Sequence, residues 1–119
     1  LEAARRLRAV CAAFPWHIAG TGRFCTELMT DMRERVFVKT GAEGVLCAAL
    51  PEQGLGFALK IEDGATRAAE AAMAALLARF LPRDDDFRPE LERHARPLLR
   101  NWHKTVVGSL QPTAALTGA

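Results

Sequence analysis

Val36-Phe37-Val38-Lys39-Thr40-Gly41-Ala42-Glu43-Gly44-Val45-Leu46-Cys47-Ala48-Ala49-Leu50 carries the pattern on which the fold is decided. An apolar run ends in lysine and threonine, a glycine-bearing turn spans Gly41 to Gly44, and a second apolar run follows at once. Short connections of this kind join adjacent antiparallel strands. A second turn, Pro51-Glu52-Gln53-Gly54, leads into Leu55-Gly56-Phe57-Ala58-Leu59-Lys60-Ile61. There Leu55, Phe57, Leu59 and Ile61 share one face, while Gly56 and Ala58 lie on the other. The middle strand is apolar on both faces, which predicts helices on both sides of the meander.

Before the meander, Leu1 to Phe14 has helical periodicity, with Leu7, Val10, Cys11 and Phe14 on one face and arginines over much of the other. Pro15 ends it, and Trp16 to Gly22 is expected to be a loop. Thr21 is a candidate cap for a helix from about residue 22 to 32, with Phe24, Leu28 and Met32 as its buried stripe. After the meander, Asp63 is the candidate N-cap of a helix reaching about Leu81, with Ala69, Ala72, Met73, Leu76, Leu77 and Phe80 facing the core. Pro82 and a solvated acidic loop, Asp84-Asp85-Asp86, close it. A further helix is expected over Pro89 to Leu99, interrupted near Pro97, then a short strand from Thr105 to Leu110 and a weakly structured tail, 112–119. The predicted class is α+β, an antiparallel meander flanked by helices, with two helical stretches before it and two after it.

The length of 119 residues allows one compact core. A net charge of +2 argues for neither nucleic acid nor an anionic membrane surface. No apolar run approaches the roughly 20 residues that span a bilayer, and no signal peptide opens the chain. Cys11, Cys25 and Cys47 are an odd number at wide spacing, suggesting neither a disulfide framework nor a zinc motif; free cytoplasmic thiols acting as core hydrophobes are expected. The chain opens at Leu-Glu inside a helical pattern, so a start within a larger protein is expected. His17, His94 and His103 have no partners at metal-ligand spacing. Trp16 and Trp102 are expected to be packing anchors, and Arg67 with Glu70 a helix-surface pair. Gly20-Thr21-Gly22-Arg23 lacks the spacing and lysine of a phosphate loop. Arg23 opens a helix, where its charge opposes the dipole, and this leaves a pairing or substrate-side role open for it.

Lys39-Thr40-Gly41 at the end of an apolar strand matches one of the three motifs of serine β-lactamases and penicillin-binding proteins. The lysine supplies fixed positive charge, the threonine hydroxyl can hold a substrate carboxylate, and the glycine removes a side chain where substrate approaches backbone. Alternation puts Lys39 and Thr40 on opposite faces, so both can serve only along the edge of the strand.

The flanks sharpen this. Phe37-Val38-Lys39-Thr40-Gly41-Ala42-Glu43-Gly44-Val45, Cys47-Ala48-Ala49-Leu50-Pro51, Gly54-Leu55-Gly56, Ala58-Leu59-Lys60 and Asp63-Gly64-Ala65-Thr66-Arg67-Ala68-Ala69-Glu70 resemble the bacterial asparaginase II family of rhizobial type. Ala19-Gly20-Thr21-Gly22-Arg23 upstream and Asn101-Trp102 with Val107-Gly108 downstream are similar to the same family, so the resemblance covers about residues 15–111. It implies a fold like that of serine β-lactamases and glutaminases, and hydrolysis of L-asparagine to L-aspartate and ammonia. It further implies Lys39 as a catalytic residue, with Thr40, Gly41, Glu43, Gly44 and Arg23 on the substrate side. The family's Ser-x-x-Lys nucleophile and base are absent: the only serine is Ser109, followed by Leu110-Gln111-Pro112. The family's zinc-binding cysteine and lysine contexts are absent too, so no metal or cofactor is expected in this chain and zinc only in the full-length protein. Residues 1–111 are therefore expected to be the C-terminal portion of such a domain, inactive alone, cytoplasmic, homodimeric, and independent of nucleic acid and membrane. A non-catalytic binding or assembly module built on the same fold is the alternative, and a penicillin-binding-type hydrolase is disfavoured by the length of the match.

Overall fold

A computed structural model describes residues 1–118. Pro15 does more than end the first helix. α1 spans Glu2–Ala13 and α2 spans Pro15–Ala19, so a helical turn occupies much of the expected loop. Proline without its N–H is well suited to the first position of a helix, and Gly20 at φ +91° terminates it. α3 covers Phe24–Met32 and continues through a 3₁₀ turn, Arg33–Arg35. Its stripe of Phe24, Leu28 and Met32 is buried as predicted. Thr21 does not cap it: its hydroxyl accepts from Trp16 Nε1 at 2.7 Å, and Arg23 is the capping residue without a side-chain bond.

The apolar stripe of α1 stays at the surface. Leu7, Val10 and Phe14 are 68%, 58% and 57% exposed, and Ala12 is the buried residue of the helix. The periodicity signals a face in need of a partner, and none of the described elements covers it.

β1 (Phe37–Thr40), β2 (Val45–Leu50) and β3 (Leu55–Lys60) form the antiparallel meander in sequential order. The register sets Lys39 opposite Cys47 and Cys47 opposite Ala58, with Thr40, Leu46 and Leu59 aligned beside them. Val38, Leu46, Ala48 and Leu50 face the core with α3 and with α4, Thr66–Phe80. The other face carries exposed Lys39, Cys47, Gly56, Ala58 and Lys60, so the expected second helical layer is missing over these positions. The residues that gave β2 and β3 their apolar outer face are small ones, which cost little when left in water.

α4 is buried more widely than its predicted stripe: Ala71, Ala74, Ala75 and Ala78 are buried along with Ala69, Met73 and Leu77, whereas Phe80 is 41% exposed. The helix lies between the sheet and α5, Arg88–Ala95, and alanines permit close approach on both sides. Asp63 is not its N-cap. Its carboxylate accepts from the Ala65 N–H at 2.8 Å in an Asx turn just before the helix. Asp85 in the acidic loop is not solvated: its side chain is 6% exposed, and it accepts from the Phe87 N–H at 3.0 Å and from Arg35, which also meets Glu52 at 3.5 Å.

α5 ends at Ala95, four residues before the predicted end, because Arg96 precedes Pro97 and is driven out of the helical region, to φ −127° and ψ 55°. Leu98–Arg100 (β4) instead pairs with Val106–Ser109 (β5) in a hairpin with an irregularity at Leu99/Arg100. Trp102 at its tip is 98% exposed and Trp16 59%, so neither is a packing anchor. Within the tail, Ala114–Thr117 makes one helical turn (α6), with Leu116 against the core. No helix among the described residues is long and apolar enough to cross a membrane.

Candidate active site

β1 is an edge strand, so one flank of its backbone has no strand partner. Gly41 N–H donates to the Val45 carbonyl at 2.7 Å, which places Gly41 and Lys39 at the paired positions and turns the Thr40 backbone toward the free edge. Lys39 leaves the outer face of the sheet and curls over that edge: its Nζ donates to the Thr40 carbonyl at 2.6 Å. The Thr40 hydroxyl donates to the Gly41 carbonyl at 3.4 Å. The ammonium thus starts from the outer face and bends to the Thr40 carbonyl, and the hydroxyl starts from the opposite face and bonds one residue further on, at Gly41. A Cβ on Gly41 would stand 3.2 Å from the Val45 side chain, so glycine keeps the two hairpin arms close.

The opening turn of α3 faces the same edge. Cys25 is 2% exposed; burial pushes its thiol pKa up, opposed by hydrogen bonding from the Thr40 backbone and by the charges of Lys39 and Arg23. Glu70, on the second turn of α4, also titrates above its ordinary range. Desolvation is the main cause, with the Arg23 and His94 charges acting against it and Glu27 adding to it. Arg23 therefore supplies positive charge to both the buried thiol and a carboxyl that ionises reluctantly, and Lys39 supplies it to the thiol. His94 packs edge-on to Phe24 at 5.4 Å; its Nε2 lies 3.2 Å from Glu90 Oε1 and 3.7 Å from Glu27 Oε2 but is not aligned to hydrogen-bond either.

The fold thus gathers Arg23, Lys39 and Thr40 and adds two groups that the sequence analysis passed over. Cys25 fills the core as its residue type leads one to expect, and it also lies against the Thr40 backbone. Glu70 does not form the expected surface pair with Arg67: the charged groups acting on it are Arg23, His94 and Glu27. The one available signal was position: Cys25 follows Arg23 by two residues on a helix that leads straight into β1. Glu43 and Gly44 lie at the hairpin turn instead. Glu43 is exposed at φ +57°, and Gly44 is buried at φ +71° with its missing Cβ 3.0 Å from the Gly64 backbone. Ser109 sits exposed on β5, accepting from Gln111 at 3.3 Å.

No group of three or more His, Cys, Asp or Glu among the described residues is arranged to hold a metal. Cys11, Cys25 and Cys47 are free, and only Cys25 is buried, so two of the three are not core residues. The side chains among the described residues do not fit a zinc site.

The family model described as L-asparaginase II matches residues 1–112, which takes in α1 as well as the segment carrying the motifs. No curated protein matches the chain.

Proposed function

The chain belongs to the L-asparaginase II family, and from that premise we propose that it supplies the Lys-Thr-Gly wall of an amidohydrolase site that converts L-asparagine to L-aspartate and ammonia. The observation that carries this is that Lys39 Nζ bends to the Thr40 carbonyl on the free edge of β1, where the charges of Lys39 and Arg23 and the Thr40 backbone all act on Cys25. Thr40 and Arg23 hold the substrate carboxylate, and Gly41 lets it lie against the strand. Glu43 and Gly44 shape the turn that bounds this end of the groove. Lys39 places fixed positive charge where negative charge develops at the attacked amide.

The reaction is acyl transfer. A serine hydroxyl loses its proton to a lysine and attacks the side-chain amide carbon; the C–N bond breaks and ammonia leaves with a proton; water then resolves the ester to aspartate. Ser109 has no lysine three residues on and is not a candidate for that serine. The Ser-x-x-Lys pair is assigned to residues outside this sequence, along with any zinc. The uncovered stripe of α1 supports self-association as a homodimer. Three unpaired cysteines suit a reducing compartment, the cytoplasm.

Ammonia release from L-asparagine tests this reading when the 119-residue chain is compared with the full-length protein. The full-length protein is expected to be active and the isolated chain silent. Turnover by the isolated chain would overturn the placement of the nucleophile, and silence in both would favour the non-catalytic module.

A further inference from the structure

A concavity away from Lys39 and Thr40, built from other elements, has a different chemistry. It has a volume of about 450 Å³ and lies between α4, α5 and the tail. Its floor is Ala75, Ala78 and Ala95, each nearly fully buried and too small to fill the space. Its walls carry four arginines, Arg79, Arg83, Arg88 and Arg96, against one carboxylate, Glu92.

Two of the four guanidiniums are already engaged. Arg88 donates to the Ala78 carbonyl at 2.6 Å and pairs with Glu92 at 3.1 Å, which closes the C-terminal end of α4 and neutralises the one acid. Arg79 donates to the Ala115 carbonyl at 3.1 Å and so holds α6 against α4. Gly118 closes the rim at φ +75°, and a Cβ there would stand 2.9 Å from Arg79 Nε. The guanidiniums of Arg83 and Arg96 have no hydrogen bond or ion pair among the described residues, yet both residues line the cavity. Two unspent planar guanidiniums from two elements, over an apolar floor, match the geometry that recognises oxyanions bidentately. The volume falls within the usual range for small-molecule sites, about 300–1,000 Å³.

We propose that this cavity binds a small polyanion, a molecule carrying two or more carboxylate or phosphate groups, with Arg83 and Arg96 as the recognising residues. The tail forms its rim, so ligand and tail stabilise one another. The test is calorimetric titration of the 119-residue chain with citrate and, separately, with pyrophosphate at fixed ionic strength. Saturable one-site binding is expected, weakened at least about tenfold by Arg83→Gln or Arg96→Gln alone and unchanged by Lys39→Met. Both arginines are exposed, so the variants are expected to fold, and circular dichroism checks it. Citrate alone binding identifies a carboxylate ligand, pyrophosphate alone a phosphate ligand, and both the shared oxyanion chemistry. Saturable binding by neither probe, or equal binding by the arginine variants, would overturn the proposal.

Discussion

Lys39 stands directly across from Cys47 in the β1–β2 ladder, and both side chains emerge on the uncovered face of the sheet. The ammonium then bends over the edge to the Thr40 carbonyl, leaving the Cys47 thiol in water. On the other flank, Cys25 is buried and its thiol pKa is raised by that burial. Iodoacetamide at mildly alkaline pH should therefore modify Cys47 well before Cys25, because the thiolate is the reactive form and access differs. Peptide mass spectrometry along a time course reads the order, and Cys25 reacting first would contradict the packing of α3 against β1.

Gly44 is buried at φ +71° with its absent Cβ 3.0 Å from the Gly64 backbone. Gly44→Ala meets both left-handed strain and a backbone clash. Denaturant unfolding should show a loss of about 1–3 kcal/mol, because the neighbours, the Gly64 backbone and the Ile61 Cβ, are not flexible side-chain ends.

Asp85 ties the loop after α4 to Arg35. Burial pushes its carboxyl up, but bonds from Phe87 and Arg35 outweigh this and hold it below its ordinary range. The unfolded chain then binds that proton more readily, so the stabilisation is present at neutral pH and lost as pH falls through the folded value. Asp85→Ala should cost about 1–3 kcal/mol at neutral pH, with the gap to the parent closing in strong acid. A gap that widens in acid would contradict the assignment.

Glu70 has the opposite sign. Its folded pKa lies above the ordinary value of 4.5, so the unfolded state ionises first and stability falls as pH rises from there to the folded pKa. Glu70→Gln should raise Tm at neutral pH, and the gain should vanish below about pH 4. A melting series across that range reads it directly.

The meander was legible because its turns and alternation are local. Gly41 to Gly44 and Pro51 to Gly54 state where the chain reverses, and the three strands fall within a residue or so of the apolar runs. α1 was legible as a helix but not as an exposed one, since Leu7, Val10 and Phe14 show a demand for burial without showing whether it is met. Of the β4–β5 hairpin only β5 is legible, within the strand expected from Thr105 to Leu110; Leu98–Arg100 is three residues long and follows a helical pattern that Pro97 interrupts. At the site, Lys39, Thr40 and Gly41 are announced by a tripeptide. Cys25 and Glu70 come from helices on either side in sequence, and only the packing of α3 and α4 over one sheet face brings them to the same edge.

We propose that Lys39 acts electrostatically at the edge of β1. Lys39→Met in the full-length protein, assayed by ammonia release from L-asparagine, tests it most directly. Because Lys39 is exposed, melting should be unchanged while turnover falls about 10²–10³-fold. Turnover equal to that of the parent protein would contradict the account.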